Sequence, residues 1–142
     1  MTNEDIRNGI LARLEELEPD YDKYINHIEQ GFTEPAFFVR LIDGAQEQGL
    51  GQRYTRSLMY NVMFFPDPDS LDEQTSCQTM ADRLYEKLIT IESNGVIHRG
   101  LRLKHEVVDN VLHFFVSYNI RLLAPKELVP KMEKIKQEEY IK

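Results

Sequence analysis

The sequence predicts an α+β fold, in which two helices pack on one face of an antiparallel or mixed β-sheet of about 4–5 strands. Two segments repeat apolar residues at the spacing of an amphipathic helix, and four others alternate in the manner of half-buried strands. Asp109-Asn110, a pair that tolerates the positive φ angles of a tight turn, joins the last two strands. The predicted order is α-β-β-β-α-β-β over residues 1–125, followed by an extended or partly helical tail over residues 126–142.

The first helix is predicted from apolar residues at helical spacing, which are Ile6, Ile10, Leu14 and Leu17. Thr2 or Asn3 caps its start, and Pro19 follows its end. Gly9 inside this helix either weakens it slightly or marks a close contact. A short edge strand is predicted next, over residues 24–28.

A long hairpin is predicted from two alternating segments, residues 36–42 and residues 54–65. The segment between them, residues 43–53, is termed the arm. A loop of about 10 residues exceeds the usual hairpin loop of roughly 2–5, and long loops tend to be functional. Uncharged hydrogen-bonding groups, opposite charges and an apolar tip favour contact with another protein surface. The candidate contact residues are Asp43, Gln46, Glu47, Gln48, Leu50, Gln52 and Arg53. The alternative is a loop without a function.

The second helix is predicted from an apolar stripe that runs from Cys77 to Ile91. Ser70 and Glu73 have capping-box spacing at its start, and Asn94-Gly95 closes its end.

A two-residue turn at Asp109-Asn110 sets the register of the final hairpin. It pairs Val107 with Leu112, His105 with Phe114, Leu103 with Val116 and Leu101 with Tyr118, and on the other face Glu106 with His113. Apolar side chains then meet along one face, so the two patterns agree with the turn.

Composition excludes several classes of protein. The 24 acidic and 17 basic residues give a net charge of -7, which disfavours nucleic-acid binding by the molecule as a whole. A single cysteine, Cys77, allows neither an intrachain disulfide nor a site of several thiolates, and it favours the cytosol. The acidic N-terminus is unlike a signal peptide, and there is no run of about 18 apolar residues. We therefore expect an unexported protein that does not enter a membrane.

No catalytic, cofactor or metal residue is predicted. The four histidines, His27, His98, His105 and His113, lie in different elements and form no metal-binding pair. His105 is expected to be a partly buried sheet residue, His113 a solvated cross-strand partner, and Cys77 a core residue. The cluster Asp67, Asp69, Asp72 and Glu73 suits the positive end of a helix dipole better than a cation site. The glycines of the arm precede a strand, whereas a phosphate-binding loop precedes a helix.

Several blocks of sequence carry a resemblance to a known family. The segments EQGFTEPAFFVRLIDGAQEQGLGQRY, NVMFFPD and HEVVDNVLHFFVSYNIRL, with the ending PKMEKIKQEE, resemble tail-terminator proteins of long-tailed phages and of phage-derived elements in Gram-positive bacteria. The likeness runs from about Ile28 to the end of the chain and includes no catalytic motif. It departs at Asn110, where the related sequences tend to have glycine; asparagine tolerates the same turn.

The resemblance implies a virion structural protein that assembles in the host cytoplasm and is found in the virion at the neck of the tail. Such proteins form a ring, typically a hexamer, on the head-proximal end of the tail tube, where they stop its growth and provide a surface for the head. The implied partners are other copies of the chain, the tail tube protein and head-tail connector proteins, with no membrane, no sequence-specific nucleic acid and no cofactor. The expected contact segments are the arm and the tail, in which the candidates are Lys131, Met132, Lys134 and Ile135.

Two alternatives remain open. The nearer alternative is another neck component, such as a head-side connector or stopper, which composition does not separate from a terminator. A more distant alternative is a small enzyme or ligand-binding domain in which the arm is a lid. Removing the arm distinguishes these roles. If the arm is a lid, the shortened protein loses turnover or ligand binding; if it is an assembly segment, the shortened protein folds but does not join the tube.

Overall fold

A computed structural model describes residues 2–25 and 31–123. In these residues the elements are α1 Asn3–Leu17, β1 Asp22–Ile25, β2 Ala36–Gln48, β3 Arg53–Phe65, α2 Glu73–Lys87, β4 Thr90–Ser93, β5 Val96–Val108 and β6 Val111–Leu123. The strands form one sheet in the order β1-β2-β3-β6-β5-β4, and only the β1–β2 pair is parallel. The predicted mixed α+β class is confirmed, but the predicted number of strands is too small.

Both helices pack on the same face of the sheet, as predicted. The core contains Ile6, Ile10 and Leu14 of α1, Cys77, Met80, Ala81 and Leu84 of α2, and alternate residues of β2, β3 and β6 such as Val39, Tyr60, Val62, Phe114, Val116 and Tyr118. All of these side chains are buried. The apolar period of each helix and the alternation of the strands therefore define one shared core.

The start of α1 is a reciprocal cap at Thr2. The Thr2 hydroxyl accepts a hydrogen bond from the Asp5 backbone at 3.3 Å, and the Asp5 carboxylate accepts one from the Thr2 backbone at 2.7 Å. The bond from the Thr2 backbone lowers the pKa of Asp5. Of the two predicted caps, Thr2 is therefore the one that forms.

Gly9 marks a close contact, the second of the two roles considered for it. It is buried, and a Cβ added there would lie 3.1 Å from the Glu92 carbonyl oxygen and 3.2 Å from Cδ1 of Ile91. Helix α1 thus approaches β4 more closely than any side chain at this position allows without displacement.

The predicted limits of the second helix are wrong at both ends. Its N-cap is Asp72, whose carboxylate accepts hydrogen bonds from the Thr75 backbone at 3.1 Å and the Thr75 hydroxyl at 2.6 Å, and not Ser70. The helix ends at Lys87, so Ile91 belongs to β4 and Asn94-Gly95 is the turn between β4 and β5. Two buried residues spaced three apart, Leu88 and Ile91, continued the helical period by chance across the start of a four-residue strand.

The short first strand begins two residues earlier than predicted. It covers Asp22–Ile25 and pairs in parallel with Ala36–Val39 of β2. The rest of the predicted strand, residues 26–28, lies outside the described residues.

The predicted register of the final hairpin is correct near the turn and wrong farther away. Val107 pairs with Leu112, His105 with Phe114 and Glu106 with His113, as expected. Beyond an irregularity between Leu101 and Lys104, however, Gly100 pairs with Tyr118 and Leu101 with Ser117.

The extra residue in β5 explains this shift. Arg102, in this irregular stretch, has a φ of 54°, as expected of a β-bulge that inserts one residue. The bulge turns Leu101 away from the core and places Gly100 there, where a Cβ would lie 3.0 Å from the Leu88 carbonyl oxygen. A side chain in place of Gly100 would push β5 away from α2.

The arm is not a loop, which corrects the prediction. Strand β2 continues to Gln48, β3 begins at Arg53, and Gln48 pairs with Tyr54. Only residues 49–52 form the turn. This part of β2 is exposed on both faces, so its sequence lacks the apolar alternation by which strands are predicted.

Candidate interaction surface

A three-stranded extension of the sheet carries the arm. It consists of residues 43–48 of β2, 53–59 of β3 and 117–123 of β6, and is termed the distal ribbon. Pairing is continuous to its end, where Arg53 is the partner of Leu123. Every residue from Asp43 to Arg53 is exposed. The sheet therefore presents a long polar hairpin that takes no part in the hydrophobic core.

The base of the distal ribbon is attached to the start of α1. The Tyr60 hydroxyl donates a hydrogen bond to the Asn3 carbonyl oxygen at 2.7 Å, and burial raises the pKa of Tyr60 to about 12, which keeps this donor protonated. Four residues earlier in β3, Arg56 donates from Nε to Oε1 of Gln46 at 2.9 Å and from Nη1 to Oδ1 of Asn3 at 3.4 Å. These bonds fix the direction in which the ribbon leaves the domain.

The two faces of the distal ribbon differ in charge and polarity. Pairing places Gln46, Arg56 and Ile120 on the face that continues the core side. On the opposite face the same alternation places Asp43 and Glu47 of β2, Arg53 of β3 and Asn119 and Arg121 of β6. This opposite face therefore carries acidic residues along its β2 side and a basic residue along its β6 side.

The outer edge of β2 is open along most of its length. Strand β1 covers only Ala36–Val39. From Arg40 to Gln48, β2 has a partner on its β3 side only among the residues that the structure describes. An open edge offers backbone N–H and C=O groups to any strand that approaches it.

The end of β6 is open on the side opposite to β3. Strand β5 pairs with β6 only from Gly100 onward, whereas residues 119–123 pair with β3 alone within the described ranges. The first residues of β5, Val96–Arg99, turn away and pair with β4. At the point of divergence the Gly100 N–H donates to the Ile89 carbonyl oxygen at 2.6 Å.

An open groove of about 500 Å³ lies where β5 and β6 diverge. Its lining includes Val96, Ile97, Arg99, Leu101, Ile120 and Arg121. Ile97 is 70% exposed, which is unusual for a strand isoleucine that pairs with a neighbour. The combination of apolar lining, two arginines and an unpaired strand edge is suited to binding an extended segment of protein.

His98 also lines this groove, and it is more deeply buried than the other described histidines. It is 7% exposed, its Nε2 has no hydrogen-bond partner among the described residues, and burial lowers its pKa. The ring is therefore neutral at pH 7 and contributes no charge to the groove.

Several exposed basic residues of the sheet form no ion pair within the described residues. They are Arg40, Arg53, Arg99, Arg102, Lys104 and Arg121. In the described part of the chain, all four ion pairs instead involve α1 or its following turn. One lies within α1, one joins α1 to β1, and two join α1 or its following turn to α2. The helical layer thus satisfies many of its own charges, and the sheet leaves its arginines available for other contacts.

The predicted contact residues fall into two groups. The seven in the arm, from Asp43 to Arg53, come together on one exposed hairpin. The four in the tail, Lys131, Met132, Lys134 and Ile135, lie outside the described residues. The sequence prediction did not include the groove, because the divergence of β5 from β6 that opens it has no distinct signature in the sequence.

His105 and Cys77 both form hydrogen bonds within the fold. His105 is half-buried, with Nδ1 2.9 Å from the Tyr85 hydroxyl and Nε2 3.0 Å from Oε1 of Gln78. Cys77 is buried and donates to the Asn110 carbonyl oxygen at 3.4 Å, and burial raises the pKa of its thiol. His27 lies outside the described residues. Within them, no group of three or more His, Cys, Asp or Glu residues is placed to hold a metal ion.

The described residues form an α+β domain with an exposed ribbon, and both outer strand edges of this ribbon are open within those residues. A family model described as "Phage tail terminator protein" matches residues 5–130, and the chain belongs to this family of structural tail proteins. No curated protein matches the sequence. One solved chain, 14% identical, aligns over 87% of this chain and 96% of its own length with a TM-score of 0.40. No helix in the described ranges is both long and apolar enough to cross a membrane.

Proposed function

We propose that this protein is a tail terminator that forms a closed ring on the head-proximal end of the tail tube. The ring ends polymerisation of the tube and provides the surface to which the head attaches. Its partners are other copies of the chain, the tail tube protein and the head-tail connector proteins. The chain assembles in the host cytoplasm and becomes part of the virion neck. Membership of the tail-terminator family supports this role.

The observation that carries the proposal is the presence of two different open edges on one ribbon. A ring with cyclic symmetry needs heterologous contacts, in which one surface of a copy meets a different surface of the next. The β2 edge carries Asp43 and Glu47, and the β6 edge carries Arg121 with Arg99 across the groove. The acidic side chains near the end of the β2 edge complement the arginines beside the β6 edge, and this complementarity favours head-to-tail association.

The parts of the chain have separate roles in this proposal. Residues 1–125 form one domain that builds the body of the ring, which we expect to be a hexamer. The arm contacts a neighbouring copy or the tube, and the C-terminal tail, with Lys131, Met132, Lys134 and Ile135, supplies a second contact segment. The net charge of -7 suits a component that does not collect DNA nonspecifically.

Deletion of the gene from its source phage or prophage tests the proposal. Particle production is induced, and tail lengths are measured by negative-stain electron microscopy, with the intact gene on a plasmid as the control. The proposal predicts tails of excessive and scattered length without heads, and normal tails after complementation. Normal tails joined to heads would contradict it. Normal tails that fail to join heads would assign the chain to another neck component.

A further inference from the structure

We infer that residues 131–136 of one copy pair, as an antiparallel β-strand, with the open β2 edge of the next copy at residues 43–48. This inference rests on the proposed ring and specifies one of its contacts. The occupant of the edge is a part of the chain that lies outside the described residues. The contact would satisfy backbone groups of β2 that the described residues leave without a strand partner.

The hydrogen bond at the hairpin turn shows which backbone groups of β2 point outward. The Gly49 N–H donates to the Arg53 carbonyl oxygen at 2.7 Å, so these residues form a hydrogen-bonded pair of the β2–β3 ladder. Such pairs alternate with non-hydrogen-bonded pairs along antiparallel strands. The N–H and C=O groups of Gly44, Gln46 and Gln48 therefore face away from β3, toward the open edge.

The strand that is added to this edge needs a free edge of its own and at least six residues. Strand β2 is already paired with β3 as far as Gln48, so only its outer side can accept a partner. The outermost described strands, β1 and β4, have only four residues each. In β4, moreover, the Thr90 carbonyl oxygen accepts a hydrogen bond from Nε of Arg13 at 2.8 Å. The 19 residues from 124 to 142 follow β6 and are long enough to cover the edge.

A recess of about 250 Å³ lies beside the β2 edge, on the face that continues the core side. Its lining consists of Asn3, Gly44, Ala45, Gln46, Arg56 and Leu58. Gly44 has no side chain to fill the recess. If Ile135 lies opposite Gly44, its side chain enters this space. In the same register Glu133 lies opposite Gln46, whose Oε1 accepts a hydrogen bond from Arg56, so a carboxylate comes close to the guanidinium.

The same register brings opposite charges together on the face opposite to the helices. Lys136 would lie opposite Asp43, and Lys134 would lie opposite Ala45, diagonal to both Asp43 and Glu47. Opposite charges on neighbouring strands stabilise their pairing. The segment therefore matches the apolar recess on one face of β2 and the acidic residues on the other.

Pro130 is compatible with this strand. The β2 side chains on the face opposite to the helices belong to residues whose backbone groups face β3, so the residues placed opposite them also direct their N–H groups away from β2. Lys134 and Lys136 belong to this set, and Pro130 follows the same alternation. Its missing N–H therefore removes no hydrogen bond to the β2 edge.

The direction of β6 and the proposed head-to-tail contact favour the neighbouring copy as the partner. Strands β2 and β6 run in the same direction, so a chain that turns back after Leu123 runs antiparallel to β2. To reach its own β2 edge the segment would have to cross its ribbon, three strand spacings or about 14 Å. In a head-to-tail ring the β6 side of one copy is next to the β2 side of the following copy. The connecting residues 124–130 can span up to roughly 23 Å.

Cross-linking in assembled tails tests the inference. Two differently tagged full-length chains, one with Ala45→Cys and one with Lys134→Cys, are co-expressed in the deletion strain, and purified tails are treated with a short bis-maleimide. We expect a cross-linked heterodimer, because the two positions are opposite each other in the proposed register. Asp82→Cys, exposed on α2, replaces Ala45→Cys in the matched control and should give at most one-tenth of that yield.

A chain that carries both Ala45→Cys and Lys134→Cys distinguishes the two possible partners of the edge. Cross-linked dimers support the neighbouring copy. A link within one chain, without dimers, assigns the edge to the segment of the same copy and overturns the inference. Recovery of both single variants in tails without a heterodimer also overturns it and leaves the proposed function intact. Absence of the unaltered chain from purified tails overturns the proposed function and the inference together.

Charge exchange provides an independent readout. Asp43→Lys or Lys136→Asp alone places like charges opposite each other, and we expect at least a threefold loss of the chain from purified tails. Both changes in one chain should restore incorporation, since every contact between copies then has its charges exchanged. Equal incorporation of the two single variants and the unaltered chain would contradict the proposed contact.

Discussion

Arg53 and Leu123 are register partners at the far end of β3 and β6. This pairing makes the tip of the arm part of a three-stranded ribbon, although sequence alone suggested an isolated loop. Leu123 is 70% exposed and Leu50 in the adjacent turn is 88% exposed. The ribbon thus ends in apolar side chains that are exposed among the described residues, and such surfaces commonly mark sites of protein contact.

Replacement of the arm by a short turn should preserve the domain and abolish assembly. Deleting residues 45–57 and joining Gly44 to Leu58 through Asn-Gly removes side chains outside the core, so the circular dichroism spectrum should remain that of a folded α+β protein. In the deletion strain this variant should fail to restore tail length. Normal tails with this variant would show that the arm is dispensable.

Gly9→Val should destabilise the domain by about 1–3 kcal/mol, because the new side chain would displace α1 from β4. The nearest obstacle is a backbone atom, the Glu92 carbonyl oxygen at 3.1 Å from a Cβ. Urea unfolding measures the effect. Asn8→Val is the matched control, since Asn8 is exposed in the same helix and the residue introduced is the same. Equal free energies of unfolding for the two variants would contradict the inference that the close contact requires glycine at position 9.

Tyr118→Phe should lower the free energy of unfolding by about 1–3 kcal/mol, the cost of leaving a buried acceptor unpaired. The Tyr118 hydroxyl is buried and donates to the carbonyl oxygen of Leu88, the C-cap of α2, at 2.6 Å. Tyr54→Phe removes the same group from a half-exposed residue of β3 and should have little effect. A smaller loss for Tyr118→Phe than for Tyr54→Phe would contradict this account of the C-cap.

Stability should decrease in mild acid because of His98. Burial lowers its pKa from an ordinary value of 6.5. As the pH falls below about 6.5, the unfolded chain binds a proton that the folded chain does not, so the free energy of unfolding decreases until the folded-state pKa is reached. His98→Leu should reduce this dependence between pH ~7 and ~5.5 and leave the dependence above pH ~7 unchanged. An identical acid dependence in both proteins would exclude His98 as the cause.

Local signals in the sequence predicted much of the fold. A cap at Thr2 or Asn3 and the turn at Asp109-Asn110 were predicted because both depend on adjacent residues, although the return bond from Asp5 was not predicted. The alternation of β6 was strong enough to fix its register with β5 near the turn. These features require no knowledge of distant contacts.

The errors arose where distant contacts decide the structure. Strand β4 has four residues and depends on pairing with β5 and on packing against Gly9, neither of which is encoded locally. The bulge at Arg102 is formed by a non-glycine residue with positive φ, so no glycine or asparagine indicated it. The separation of β5 from the end of β6 before Gly100 depends on the pairing of β5 with β4, and for this reason the groove was missed while the arm, whose composition is unusual, was recognised.

Cryo-electron microscopy of the head-proximal end of purified tails tests the central claim most directly. The proposed function predicts a closed ring of copies of this chain on the last layer of tube subunits, with the distal ribbon of each copy at a subunit boundary. A tube end that lacks the chain, or density for the chain only in the head or along the tube, would contradict the account.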